Sequence, residues 1–324
     1  MWDVGCGVWD VGCGMWGEKR YALRGMEMQQ HFSDRLFAAI NRAGSPVCVG
    51  LDPVLESLPE EVRARHREPV AAIGEFCGGV LRAVTAGGRP IVPAVKFQSA
   101  CFERFGSRGF AVLEEQVAAA AALGLVVVWD AKRGDISTSA SHYAAAAKQL
   151  KADSITVSAY LGASGVTPFL EAGLGVFALV RTSNPDSDAV QGTKLADGRG
   201  VGEMMAGLVA QLGDARVGEC GLSDLGAVVG ATKAGEGAAL RKLMPRQVFL
   251  VPGYGAQGGT AADIRALLRP LAKSAGETGV LVTASRSIIY AKVKAGETWE
   301  GAVRGAAEKM RDEIGAVVAN GAAR

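Results

Sequence analysis

Eight short apolar runs, spread over residues 46–286 and separated by longer alanine-rich stretches, constrain this chain more than any other feature. They are "PVCVGLD" (46–52), "PIVPAVKF" (90–97), "LVVVWDAK" (125–132), "SITVSAY" (154–160), "GVFALVRT" (175–182), "GAVVGAT" (226–232), "QVFLVPGY" (247–254) and "GVLVTASR" (279–286). Most are continuously apolar rather than alternating, which marks parallel strands covered on both faces. Helical patterns fall between them, including 109–123, 139–150, 201–212 and 261–271. Eight strand-then-helix repeats predict an α/β fold, a closed (β/α)8 TIM barrel. A doubly wound open sheet is the alternative, but no G-x-G-x-x-G follows the first run. No linker divides the repeats, so residues 26–324 are expected to form one domain.

Residues 1–25 do not fit this pattern. "WDVGCGV" and "WDVGCGM" duplicate a glycine-rich heptad, and Trp16 begins a third copy. Glycine at this frequency opposes a helix. Residues 1–25 are therefore expected to be an extension outside the fold, or a start-site artefact, with Met26 or Met28 as the natural start. A metal-binding Gly-Cys segment is the alternative.

Composition narrows the function. Hydrophobic residues make up 49% of the chain, enough for a large core, and 35 basic against 33 acidic residues leave a net charge of +2. Such a balance gives no general nucleic-acid surface, so any anion site must be local. The six cysteines form no C-x-x-C pair and read as reduced thiols of a cytoplasmic protein. His31, His66 and His142 lack metal-ligand spacing. No apolar run reaches the length of about 18 residues that a membrane span needs, and no signal peptide is evident.

In a barrel the reacting groups sit at the C-terminal ends of strands. There the chain places Asp52, Lys96, Asp130, Lys132, Ser158, Ser183, Gln257 and Arg286. Polar strand ends also arise simply because strands meet solvent there. In "WDAKRGDI" (129–136), Asp130 and Lys132 are two apart and should share one strand face. Asp135 lies beyond the strand. The alternative is a helix N-terminus with favourable acids and a solvated lysine. Lys96, ending the preceding strand, should stand beside Asp130 across the ladder. Alternating carboxylates and ammoniums neutralise one another as a set. They would hold Lys132 as a fixed proton donor beside a carboxylate that repels another carboxylate. That suits expulsion of a carboxylate and protonation of the carbanion left behind.

"VPGYGAQGG" (251–259), after the seventh run, and "TASRSII" (283–289), ending the eighth, occupy the usual phosphate-binding place of a barrel. Backbone N–H groups of that loop, a helix N-terminus and Arg286 would bind the anion, with Gln257 as a neutral donor. Glycine-rich turns also serve simple chain reversal. In "RTSNP" (181–185), Ser183 and Asn184 could bond a heterocycle, or Asn184-Pro185 could be only a turn.

Taken in order, "GLDP" (50–53), "AVKFQSACFE" (94–103), "WDAKRGDI", "RTSNP", "VPGYGAQGG" and "SRSIIYA" (285–291) resemble the orotidine 5′-phosphate decarboxylases, in particular their longer bacterial type. The resemblance spans roughly residues 30–315. It implies a (β/α)8 barrel that converts orotidine 5′-monophosphate to uridine 5′-monophosphate in de novo pyrimidine synthesis, without metal or organic cofactor. By matching position it implies that Lys132 protonates C6 of the pyrimidine and that Asp130 lies beside the departing carboxylate. Lys96 and Asp52 would contact the ribose hydroxyls. Asp135 and Ile136 would enter the active site of the neighbouring subunit of a homodimer, and Ser139 would bind substrate, keeping the hydroxyl where the family has threonine. Ser183 and Gln257 would contact the base and phosphate end. Arg286 and the backbone of the loop carrying Gly255 and Gly258 would hold the phosphate. The chain departs from the family at Ala159, where proline is usual, and in "DIS" for "DIG"; the charged set is intact. The alternatives are a magnesium-dependent sugar-phosphate decarboxylase of the same barrel superfamily and a non-catalytic nucleotide-binding barrel.

Overall fold

The computed structural model describes residues 30–255 and 258–322. The extension expected over residues 1–25 lies outside them. Eight parallel strands close into a barrel: β1 (Val47–Leu51), β2 (Ala94–Gln98), β3 (Val126–Arg133), β4 (Ser154–Val157), β5 (Gly175–Arg181), β6 (Ser223–Val229), β7 (Gln247–Val251) and β8 (Val280–Ala284). Sequential strands pair around the ring, and β8 pairs with β1. The predicted α/β architecture is the one observed, in a single domain.

The strand ends differ from expectation where local chemistry intervenes. The second run enters the barrel only at Ala94, because Arg89–Pro90 pairs antiparallel with Thr85–Ala86 instead. The fourth stops at Val157, where Ala159–Leu161 turns into a 3-10 helix. The sixth begins three residues early at Ser223. Its first two polar residues fit a strand because both are bonded: Ser223 Oγ donates to the Gly213 carbonyl at 2.8 Å, and Asp224 accepts from Ser33. The helices follow as Gly106–Ala122, Ser137–Gln149, Val201–Gly213 and Ala261–Leu267.

Two apolar layers result. The outer one lies between the sheet and the helices. The inner one fills the barrel with Cys48, Ala94, Val126, Val128, Phe177, Val248, Leu250 and Leu281. Helix Phe32–Ala43, upstream of the first apolar run, closes the barrel floor. Asp224 fixes its start by accepting both the backbone N–H and the hydroxyl of Ser33 at 2.9 Å. Phe32 meets Phe177 edge to face at 5.9 Å. Position 175 must be glycine for this: a Cβ there would lie 2.1 Å from Phe32 Cδ1. Burying Phe32 and Leu36 contributes roughly 1.5–3 kcal/mol each. A sealed apolar floor leaves the opposite mouth, at the strand C-termini, for polar groups.

Candidate active site

Four charged residues converge just above the apolar layers. Lys96 Nζ lies 2.9 Å from Asp130 Oδ2 and 3.2 Å from Asp52 Oδ1. Lys132 Nζ lies 2.7 Å from Asp130 Oδ1. The expected Asp52–Lys96–Asp130–Lys132 chain of alternating charge is therefore formed. Its members differ in exposure: the side chains of Lys96 and Asp130 are 7% and 9% exposed, while that of Lys132 is 47% exposed. Lys132 is thus the ammonium presented to the mouth, and Lys96 is the buried counter-ion.

Electrostatics fix the ionisation. Burial alone would push the Asp130 carboxyl up, but the Lys96 and Lys132 ammoniums together hold it well below the usual carboxylate range. Burial likewise opposes charge on Lys96, and Asp130 and Asp52 outweigh it, raising the lysine above its ordinary value.

Two geometric expectations need correction. The ladder partner of Asp130 is Gln98, whose Nε2 donates to Oδ2 at 3.4 Å, while Lys96 pairs with Val128. Strands tilt in a barrel, so the Lys96 side chain reaches Asp130 along the diagonal. Nor does regular two-residue alternation aim Lys132. Between β3 and β4 the register runs Trp129↔Ile155 and then Arg133↔Val157, so residues 130–132 bulge opposite Thr156 alone. Lys132 has φ +47°, in the left-handed region that lysine rarely adopts.

The bulge brings in groups not anticipated from the sequence. Thr156 Oγ1 donates to Asp130 Oδ1 at 2.8 Å and accepts from the Lys132 backbone N–H at 2.9 Å. Ser285 Oγ donates to Asp52 Oδ2 at 2.9 Å. That contact needs Gly50, where a Cβ would stand 2.0 Å from Ser285 Oγ. The signal for Thr156 was a polar residue two positions after Ser154 in a short, fully buried strand; strand periodicity gave no reason to pair it with Lys132.

These groups line one cavity of about 1180 Å³ at the barrel mouth. Its far side carries Ser183 and Asn184 after β5, Gly253 and Tyr254 after β7, and Arg286 after β8. The loop after β5 is held from below by Arg181, a buried guanidinium bonded to Glu236 at 2.9 and 2.8 Å, with Asp188 also bonded to it. Asn184 Oδ1 accepts from Thr182 Oγ1 at 2.6 Å, so its amide is partly committed to the turn. Gly255 and Gly258 both have positive φ, and the Gly255 N–H is bonded to the Gly259 carbonyl at 2.9 Å. Neither lines the cavity in this conformation, and Gln257 lies outside the described residues. The start of helix Ala261–Leu267 is capped internally by Thr260 and Asp263, so an acidic side chain already occupies the helix end expected to help bind phosphate.

Asp135, Ile136 and Ser139 are not brought to this cavity, and neither is Ser158. Asp135 Oδ1 accepts from the Ile136 N–H at 2.8 Å. Ile136 is 46% exposed, and Tyr160, on the next loop, is 81% exposed.

Comparison with known proteins bears on the family of the chain. The family model described as "Orotidine 5′-phosphate decarboxylase / HUMPS family" matches residues 45–301. An orotidine 5′-phosphate decarboxylase of Rhodopirellula baltica is 39% identical over 87% of this chain and 98% of its own length. One of Deinococcus radiodurans is 41% identical over 83% of this chain and 91% of its own length. Among solved structures, a putative orotidine 5′-phosphate decarboxylase of Streptomyces avermitilis is 38% identical with a TM-score of 0.73, covering 90% of this chain and 96% of that one.

Proposed function

The chain belongs to the orotidine 5′-phosphate decarboxylase / HUMPS family, and we propose that its reaction, the decarboxylation of orotidine 5′-monophosphate to uridine 5′-monophosphate in pyrimidine biosynthesis, is carried by the Asp52–Lys96–Asp130–Lys132 network. The observation that supports this most directly is the Lys132 ammonium, exposed to the cavity yet tied to Asp130 at 2.7 Å.

The substrate carboxylate would face Asp130, which stays ionised because two lysines flank it. Like charges brought together in a partly dry cavity favour the state in which one is leaving as neutral CO2. The bond between C6 and the carboxyl carbon breaks, and its electron pair stays on C6. Lys132 gives C6 a proton and later regains one from solvent. Lys96 and Asp52 would hold the ribose hydroxyls, Ser183 and Gln257 the base and phosphate end, and Arg286 the phosphate with the backbone around Gly255 and Gly258. The reading takes the site to work without metal, supported by Lys96 bridging the Asp52 and Asp130 carboxylates at 3.2 and 2.9 Å.

The reading includes a homodimer, with Asp135, Ile136 and Ser139 completing the partner's site. Its support is that these residues do not line their own cavity and that exposed Ile136 and Tyr160 stand on adjacent loops. A cytoplasmic setting is supported by Cys48, Cys77, Cys101 and Cys220 being free thiols. Among the described residues no helix is long and apolar enough to cross a membrane. The test is addition of orotidine 5′-monophosphate to purified protein. Loss of the orotate absorbance with one CO2 released per uridine 5′-monophosphate, unaffected by a chelator, is expected. No turnover would refute the assignment, and chelator-sensitive turnover of a sugar phosphate instead would favour the magnesium-dependent branch.

A further inference from the structure

Thr156 occupies an unusual place in the ladder. It alone faces the three-residue bulge of β3 that contains both Asp130 and Lys132. The residue is 1% exposed, so its hydroxyl is nearly shut off from solvent. A hydroxyl has one proton to donate and lone pairs to accept. Here the donor is committed to Asp130 Oδ1 at 2.8 Å and an acceptor site to the Lys132 N–H at 2.9 Å. Because the Lys132 N–H is an obligatory donor, fixing it from Thr156 also fixes the backbone of a residue at φ +47°. The same Asp130 oxygen receives Lys132 Nζ at 2.7 Å. One buried hydroxyl therefore ties the lysine at its backbone and the carboxylate that orients its ammonium.

On the reading of the reaction given above, we propose that Thr156 is a positioning residue for decarboxylation. It sets the Lys132 ammonium where a proton must be delivered by holding the bulge and the Asp130 carboxylate together. Its hydroxyl is committed to Asp130 and to the Lys132 N–H although the residue borders the cavity, so it should act on turnover rather than on nucleotide binding. A neighbour that merely filled space would be replaceable by valine, which has nearly the same shape without the hydroxyl.

The experiment compares Thr156→Val and Thr156→Ser with the unmodified protein. For Thr156→Val, kcat should fall at least about 30-fold while uridine 5′-monophosphate affinity stays within about threefold. Thr156→Ser keeps the hydroxyl and should restore kcat to within about fivefold of the unmodified protein. Deuterium uptake in the segment 126–136, followed by mass spectrometry, should accelerate in Thr156→Val and not in Thr156→Ser. The proposal is overturned if valine leaves kcat nearly intact, if serine is as impaired as valine, or if product affinity falls as much as kcat. Uptake unchanged in the valine variant overturns it as well. If the unmodified protein shows no turnover, the assigned reaction fails and the proposal, which needs that reaction, fails with it; uptake then reports only on the bulge. Turnover in the unmodified protein with a valine variant that matches it isolates failure of the proposal alone.

Discussion

Lys96 reaches Asp130 from two positions below that aspartate's ladder partner, placing a buried ammonium 2.9 Å from Oδ2 while Gln98 takes the place directly opposite. Both groups are nearly shut off from water, so each depends on the other for compensation. Replacing Lys96 by methionine should cost about 2–3 kcal/mol of stability at neutral pH, because it leaves buried Asp130 with Lys132 as its remaining ammonium and takes the lysine from Asp52. Urea unfolding of the purified variant measures this. A cost below about 1 kcal/mol would mean that the pair behaves as a surface bridge.

Lys132 should separate folding from chemistry. Its side chain is half exposed, and Asp130 keeps Lys96 when Lys132 is gone. Lys132→Ala should therefore fold and bind uridine 5′-monophosphate, with turnover reduced at least about 10³-fold. Titration calorimetry and the decarboxylation assay check the two halves. Near-normal turnover would remove Lys132 from its role as proton donor.

Acid should weaken the network in a defined window. The Asp130 carboxyl is held below its ordinary value of 3.8, so its contribution is fully present above that value and is lost as pH falls through the depressed one. Lys96 is raised above its ordinary 10.5, so its contribution is present below 10.5 and is lost as pH climbs through the raised value. Between those limits this network contributes a pH-independent share. Below pH 3.8 the stability of the unmodified protein relative to Asp130→Asn should decline by about 1.4 kcal/mol per pH unit. A difference that stays flat down to pH 2.5, roughly, would show that the carboxylate is not held by the lysines.

A shared site predicts complementation. Lys132→Ala and Asp135→Ala proteins should each be nearly inactive. Mixed in equal amounts and allowed to exchange subunits, half the dimers are hybrids and each hybrid has one site with both groups. About a quarter of the unmodified activity should return. A mixture no better than its parents would place Asp135 outside the chemistry.

Much of this molecule was legible in its residues because the barrel is written as composition. Eight continuous apolar runs can hide only in a sheet covered on both faces, and charges at their ends are costly unless they meet. Asp52, Lys96, Asp130 and Lys132 follow from that. What the sequence did not disclose depends on pairing between distant segments. The bulge at residues 130–132 exists only relative to β4, so nothing in "WDAKRGDI" announces that its lysine is left-handed or that Thr156 completes it. Helix Phe32–Ala43 was missed for a related reason: its apolar face is recognisable only once the barrel floor is there to receive it.

That floor has a consequence for traffic. Phe32, Leu36 and Phe177 are 2%, 1% and 0% exposed, so the end of the barrel below the charges offers no passage. Among the described residues, the chamber opens at the strand C-terminal end. Nucleotide arrives there, and the gas released deep inside must leave by the same opening, past the nucleotide product that still fills it. The two departures are thus coupled by the architecture: the small product slips out around the large one, or waits for it.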